Sequence, residues 1–161
     1  MGQRAVTSRP EYDQIIGRYL NRLPRTITRT GEPLLLDGTW RFELDLHGRG
    51  LDEHWEQGHV YAGTTKWPGS IESQLEAGLS LPWEDEVIAW YERDFVLPPE
   101  WTGELVQVTF GAVGHETRVW LNGTFLKTVE GEEAHVGEYT SFSYELPTEL
   151  LLPVNRLTVR I

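Results

Sequence analysis

The sequence predicts an all-β fold, an antiparallel sandwich or barrel, with one short helix in front of it. Apolar residues recur at every second position in short stretches from residue 34 to the last residue. Turn signals containing glycine, proline or Asn-Gly separate these stretches. No helical pattern lies between successive strands, so the crossovers of a parallel sheet are not expected.

The N-terminal segment has the pattern of a helix. Six apolar residues recur there with a period of 3.6 and form one stripe: Tyr12, Ile15, Ile16, Tyr19, Leu20 and Leu23. Ser8 and Glu11 match a capping box, and Pro24 ends the helix. We therefore expect a helical extension over residues 1–33 and a β domain over 34–161. The helix either covers an edge of that domain or binds a partner.

The first predicted strand shows the alternation most clearly. Between Thr39 and Leu46, one face carries Trp40, Phe42, Leu44 and Leu46, and the other face carries polar side chains. This pattern is typical of a strand with one buried and one wet face. The following stretch, His47 to Thr65, is polar and contains several glycines, so we expect a long connection with a short helical turn over Leu51–Glu56.

Further strands follow with the same period. The residues that alternate along these strands are Tyr91, Arg93, Phe95 and Leu97; Val106, Val108 and Phe110; Phe142, Tyr144 and Leu146; and Leu157, Val159 and Ile161. Between them, Thr117–Leu121 runs into Asn122-Gly123, a dipeptide that favours a type I′ hairpin turn, with Thr124–Val129 as the returning strand. Trp40, Trp90 and Trp120 fall in strands, so we expect them to be core or sheet-packing residues.

Composition narrows the possible partners. The 14 basic and 25 acidic residues give a net charge of −11. An acidic surface repels phosphate backbones and anionic lipid, so nucleic acid and membranes are not expected partners, whereas a neutral sugar is compatible. Cysteine is absent, which excludes disulfides and thiolate metal sites. The polar N-terminus lacks a secretory signal, so the default expectation is a cytoplasmic location.

No metal or cofactor is expected. The five histidines lack the spacing of a zinc site. One acidic cluster is a candidate for calcium, but it lacks the aspartate and asparagine spacing of a calcium loop; its members are Glu130, Glu132, Glu133 and Glu138.

Six stretches, taken in order, resemble the N-terminal sugar-binding domain of glycoside hydrolase family 2, the family of β-galactosidases, β-glucuronidases and β-mannosidases. They are LDGTWRFELD, WPGSIESQL, AWYERDFVLPPEW, VTFGAVGHETRVWLNGTFL, HVGEYTSFSYEL and NRLTVRI. The resemblance covers residues 34–161 and implies a jelly-roll sandwich like that of galactose-binding domains. The chain departs from the family pattern at Glu138, where the family often has a second glycine, and in the glutamate-rich stretch Thr128–Ala134.

The resemblance implies that the catalytic residues lie elsewhere. In this family two glutamates act on a separate TIM barrel, and a barrel of roughly 200 residues or more does not fit beside a sandwich in 161 residues. We therefore assign no catalytic residue and expect no glycosidase activity from the chain alone. The implied function is that of an accessory domain, which packs on C-terminal domains and supports the active site of a retaining glycosidase.

Two loops are the candidates for sugar contact, because the resemblance implies that such loops reach the mouth of the barrel. His135, Glu138 and Tyr139 lie in the loop Glu130–Tyr139, and Trp83 and Glu84 lie in the loop Leu79–Val87. Sugar recognition needs acceptors for hydroxyl hydrogens and a flat aromatic ring for the C–H face. The structural alternatives are that His135 only braces its turn and that Tyr139 belongs to the core.

Two other functions stay open at this point. A free-standing carbohydrate-binding module would need an exposed aromatic platform on one face or at the loop rim. A structural sandwich without sugar affinity would need neither platform nor acceptors.

Overall fold

The computed structural model describes residues 32–69 and 87–161. Within these ranges the secondary structure consists of nine β-strands and three short 3₁₀ turns. The strands are β1 (Gly38–Leu44), β2 (Gly63–Trp67), β3 (Ala89–Phe95), β4 (Val106–Phe110), β5 (Glu116–Leu121), β6 (Thr124–Leu126), β7 (His135–Val136), β8 (Phe142–Leu146) and β9 (Asn155–Arg160). The 3₁₀ turns span Trp55–Gln57, Pro99–Trp101 and Thr148–Leu150.

The predicted all-β class is therefore confirmed. The helix expected over residues 10–23 and most of the loop Leu79–Val87, with Trp83 and Glu84, lie outside the described residues. The division of the chain at residue 33 stays a prediction. Over the described ranges, no helix is long and apolar enough to cross a membrane.

The strands form two antiparallel sheets. The larger has the order β2-β1-β3-β9-β5-β6, with β7 pairing to β5, and the smaller consists of β4 and β8. In the larger sheet, Phe42 lies opposite Tyr91, and Val159 lies between Tyr91 and Val119. Because side chains alternate along a strand, this register puts all four on the same face of the sheet. All four are buried.

The core lies between this face and the smaller sheet. Phe110, Phe142 and Tyr144 of β4 and β8 belong to the same buried cluster as Phe42 and Tyr91. The rings of Phe110 and Phe142 stack with centroids 5.2 Å apart. Each such side chain contributes roughly 2–3 kcal/mol through burial, so this interior supplies most of the driving force for folding.

Asn122 and Gly123 form the predicted hairpin turn. Their φ angles are 51° and 83°, and a type I′ turn requires positive φ at both positions. The Asn122 amide also ties the hairpin to a neighbouring loop. Its oxygen accepts the Arg156 N–H at 2.7 Å, and its nitrogen donates to the Leu150 carbonyl at 2.7 Å and to Asn155 Oδ1 at 3.1 Å. The returning strand ends at Leu126, earlier than the predicted Val129.

The first strand ends earlier than its alternation predicts. Leu46, expected on the buried face, is 65% exposed, whereas its neighbour Asp45 is only 5% exposed. The Asp45 carboxylate accepts the backbone N–H groups of Arg49 at 2.9 Å and Gly50 at 2.7 Å. Asp45 thus keeps the outer-face position that alternation gives it but is buried beside Trp90, and the chain leaves the sheet after it, so Leu46 lies in solvent.

The outer face of the larger sheet carries a second aromatic cluster. The connection after β1 turns back over the sheet and places Trp55 against Trp90, whose ring in turn stacks on Trp120 at 5.3 Å. The predicted helical turn at Leu51–Glu56 is present as a turn that continues into the 3₁₀ turn at Trp55. Because of this cover, residues Ala89–Glu92 of β3 are buried on both faces, and the expected burial of Trp40, Trp90 and Trp120 is confirmed.

Candidate functional site

The first predicted loop lies at the end of the larger sheet where β5 begins. In β7, His135 pairs with Thr117, and the N–H of Gly137 donates to the His115 carbonyl at 2.9 Å. These bonds hold residues 115–117 beside residues 135–137. At the same end, Ile161 exchanges backbone hydrogen bonds of 2.9 Å with Ala89. The loop is therefore fixed to the sheet by regular pairing on its N-terminal side.

His135 lies on the aromatic core. Its ring stacks on Phe142 with centroids 3.8 Å apart and an angle of 10° between the planes. Its Nε2 is 3.4 Å from Thr140 Oγ1, a long contact for a hydrogen bond. Stacking on Phe142 thus determines the orientation of the His135 imidazole. The hydrogen bond by which His135 was expected to brace its turn contributes little to that orientation.

Glu138 faces a histidine that the sequence patterns did not single out. Its Oε1 lies 3.8 Å from His115 Nδ1, and the two side chains are 51% and 69% exposed. An exposed pair at this separation contributes little to stability. Both groups remain accessible to a ligand: the Glu138 carboxylate can accept hydrogen bonds, and the His115 imidazole can donate or accept them.

Tyr139 is the most exposed aromatic side chain of this loop. It is 89% exposed, so the alternative that it belongs to the core is wrong. Val136 beside it is also exposed. The tyrosine ring is available to lie against the C–H face of a sugar, and its hydroxyl is free of burial.

The base of the loop is a buried tyrosine. The Tyr144 hydroxyl donates to the Thr117 carbonyl at 3.2 Å and so links β8 to the strand that pairs with His135. Burial raises the pKa of Tyr144 to about 12, which keeps the hydroxyl protonated as the donor. This bond joins the two sheets directly beneath the candidate residues.

A second polar feature lies on the outer face of the larger sheet. An open cavity of about 360 Å³ is lined by Thr39, Arg41, Thr64, Glu92, Arg93 and Asp94. Three of its charged groups pair with one another: Arg41 Nε lies 2.8 Å from Glu92, and Arg41 also donates to both oxygens of Asp94 at 2.9 Å. Arg93 donates to the carbonyl groups of Leu36 and Asp37. The hydrogen bond from Arg41 lowers the pKa of Asp94. This internal pairing indicates a structural network between β1 and β3.

The structure thus brings Glu138 near His115, whereas His135 packs on Phe142 and Tyr139 is exposed on the same loop. Within residues 32–69 and 87–161, no group of three or more His, Asp or Glu side chains is placed to hold a metal ion. The chemistry available is hydrogen bonding by a carboxylate and two imidazoles beside an exposed aromatic ring. That combination suits a polyhydroxylated ligand.

Comparisons with known proteins point in the same direction. No family profile matches the chain. It is 26% identical over 140 residues to a β-glucuronidase of Paenibacillus borealis, covering 82% of this chain and 21% of that protein. It is 28% identical over 120 residues to the β-glucuronidase of Homo sapiens, covering 69% of this chain and 17% of that protein.

Solved structures agree with the sequence relatives. A β-glucuronidase from Ruminococcus gnavus in complex with uronic deoxynojirimycin matches with a TM-score of 0.64 and 26% identity, over 78% of this chain and 21% of that one. A β-glucuronidase of an uncultured Clostridium sp. matches with a TM-score of 0.68 and 25% identity, over 84% of this chain and 24% of that one. The chain spans about a fifth of the length of the relatives it matches. The resemblance indicated by the six motifs is confirmed: this chain is a homologue of one segment of the β-glucuronidases of glycoside hydrolase family 2.

Proposed function

We propose that the chain is an accessory β-sandwich domain of a family 2 glycoside hydrolase and that the complete enzyme cleaves O-glycosyl bonds of β-glucuronides. The observation that carries this proposal is the pattern of coverage. The β-glucuronidases match 69–82% of this chain, but the match takes up only 17–21% of their own length. A fold of this size has room for the sandwich and none for a catalytic barrel.

The division of labour follows from the chemistry of retaining glycosidases. Hydrolysis with retention needs two carboxylates roughly 5–5.5 Å apart, one as nucleophile and one as acid and base. In the proposal these belong to the barrel, and the sandwich packs on it and holds loops at the mouth of the active site. Glu138 accepts sugar hydroxyl hydrogens, His135 offers a fixed imidazole, and Tyr139 covers a C–H face. Trp83 and Glu84 are the candidates in the second loop.

The experiment uses the natural reading frame that contains this sequence. A frame that continues into a barrel bearing a glutamate pair supports the proposal, and a frame without one overturns it. The full-length product is assayed with p-nitrophenyl β-D-glucuronide, galactoside and mannoside, and we expect turnover of the glucuronide. The 161-residue chain serves as the matched control and is expected to show no turnover.

Site contact is tested in the full-length enzyme. Tyr139→Ala and Glu138→Gln are expected to raise KM with a smaller change in kcat, because they remove ground-state contacts rather than reacting groups. Phe125→Ala, a partly exposed aromatic residue on the hairpin strand β6, is a control outside the loop. If KM and kcat of the loop variants equal those of the control variant, the loop does not contact the sugar.

One observation favours a second candidate function, a free-standing carbohydrate-binding module. Such modules need an exposed aromatic ring at the loop rim, and Tyr139 is 89% exposed. Titration of the 161-residue chain with methyl β-glycosides separates the two. Saturable binding that Tyr139→Ala abolishes favours a module, and no binding to any glycoside favours a scaffold.

A further inference from the structure

We propose that Gly114 and His115 are positioning residues of the candidate site, and that they present Glu138 as a specificity-determining acceptor for the hydroxyls of a neutral part of the ligand. This inference rests on the proposed function, which places the loop at a sugar. It adds Gly114 and His115 to the first of the two candidate loops, residues 130–139.

Gly114 makes room for the Glu138 side chain. A Cβ atom on residue 114 would lie 2.8 Å from Glu138 Cγ, 3.2 Å from its Cβ and 3.3 Å from its Cα. Contacts under 3.0 Å between carbon atoms are not tolerated, so any other residue at 114 displaces Glu138. Gly114 is not among the positive-φ residues of the chain. Room for the Glu138 side chain is therefore one requirement at position 114.

His115 lies beside the carboxylate that Gly114 accommodates. Its Nδ1 lies 3.8 Å from Glu138 Oε1, and its carbonyl accepts the N–H of Gly137 at 2.9 Å. The backbone bond fixes the two segments relative to each other immediately before Glu138. The Glu138 side chain thus leaves a fixed backbone position and packs against the surface of Gly114, while the exposed imidazole of His115 biases the direction of the carboxylate only weakly.

Glu138 is an addition to the pattern that this segment otherwise follows. The motif HVGEYT carries glutamate where the resembled pattern often has a second glycine. A carboxylate accepts hydroxyl hydrogens strongly, whereas it repels a second carboxylate at the same distance. Glu138 therefore suits ring or aglycone hydroxyls and disfavours contact with the acid group of a uronide.

The test uses the 161-residue chain and two glycine variants, both in the connection between β4 and β5. Gly114→Ala forces Glu138 aside, whereas Gly111→Ala introduces a methyl group with nothing within 4 Å of it. Nuclear Overhauser contacts between residue 114 Hα and Glu138 Hγ are expected in the wild type and in Gly111→Ala, and are expected to be lost in Gly114→Ala. Their absence in the wild type, or their persistence in Gly114→Ala, overturns the positioning role.

Binding then tests the role in specificity. The probe is methyl β-D-glucopyranoside, with methyl β-D-glucuronide as its charged counterpart. Gly114→Ala and Glu138→Gln are expected to weaken glucopyranoside binding about 10-fold, with Gly111→Ala unchanged. His115→Ala is expected to weaken it less, because it leaves the carboxylate in place.

The outcomes separate the two proposals. Equal losses in Gly114→Ala and Gly111→Ala, or a preference of the wild type for the glucuronide that Glu138→Gln does not strengthen, overturn the specificity role. A wild type that binds neither glycoside refutes sugar contact in the proposed function and the specificity role with it. The Overhauser contacts decide the positioning role in every case.

Discussion

Replacing Asp45 by alanine is the most direct test of how the chain leaves its first strand. The Asp45 side chain is 5% exposed and accepts the N–H groups of Arg49 at 2.9 Å and Gly50 at 2.7 Å. The indole N–H of Trp90 lies 3.4 Å from the same carboxylate. Alanine removes the acceptor and leaves these donors without it.

The magnitude follows from the two short bonds. A hydrogen bond to a charged group contributes roughly 1.5–3 kcal/mol, and a buried donor left unsatisfied costs about 1–3 kcal/mol. The bond to Gly50 is buried, whereas the bond to Arg49 is only partly so. We therefore expect Asp45→Ala to lower the free energy of unfolding by about 3 kcal/mol.

The effect depends on pH with a defined sign. Burial alone would raise the pKa of Asp45, but the hydrogen bonds from Gly50 and Arg49 outweigh it and the pKa is lowered. A lowered pKa in the folded state stabilises the protein above the unfolded value, near pH 4, and this stabilisation is lost as pH falls through the folded value. The difference between the wild type and Asp45→Ala is therefore expected to shrink below about pH 4.

Urea unfolding followed by tryptophan fluorescence at pH 7 and at pH 3 measures both quantities, since Trp90 lies beside the carboxylate. Asp52→Ala, an exposed aspartate in the same connection, is the control and is expected to change stability by less than about 0.5 kcal/mol. A loss below about 1 kcal/mol at pH 7 would refute the assigned bonds. An undiminished loss at pH 3 would refute their dependence on the ionised carboxylate.

Three further outcomes are expected. Gly50→Ala would place a Cβ 2.5 Å from Trp90 Nε1, so urea unfolding should show a loss of about 2–3 kcal/mol. Asn122→Ala removes three hydrogen bonds and forces alanine to a φ of 51°, so a loss of about 2–4 kcal/mol is expected, of which Asn122→Gly should recover only the backbone part. Tyr139→Ala should leave unfolding within about 0.5 kcal/mol of the wild type, because this exposed ring has little packing to lose; a larger change would show that it packs in solution.

The strands were predictable because each carries its own evidence. Phe142, Tyr144 and Leu146 alternate with polar residues in the sequence and are buried in the structure. Asn122-Gly123 requires positive φ locally, so the hairpin needed no information from the rest of the chain. The period-two alternation and the turn residues act locally, so they predict strands and turns without information about the rest of the fold.

The failures arise where the connection after β1 changes the environment of a strand. Alternation placed Leu46 inside, but the strand ends at Leu44 and the chain turns so that the amides of Arg49 and Gly50 reach Asp45 on the outer face. The same connection covers Trp90 and so buries both faces of β3 over Ala89–Glu92, which alternation within β3 does not reveal. Contacts of this kind depend on which part of the sheet a polar loop packs against, and the composition of the loop does not predict that.

The candidate site was predictable only in part, and for a related reason. His135, Glu138 and Tyr139 are close in sequence, so their shared loop followed from the motif. His115 lies 23 positions before Glu138 and reaches it only through the pairing of β5 with β7. A prediction that β7 pairs with β5 would have placed His115 near Glu138, but the sequence carries no local signal for that pairing.

The stacking of His135 on Phe142 gives this domain a built-in spectroscopic reporter. An imidazole held 3.8 Å above an aromatic ring lies within the ring's magnetic anisotropy, so its carbon-bound protons resonate away from their usual frequencies. Phe142 in turn stacks on Phe110 in the interior. Any substitution that loosens the packing there will register at a surface histidine, so a single pair of resonances monitors the interior and the loop at once.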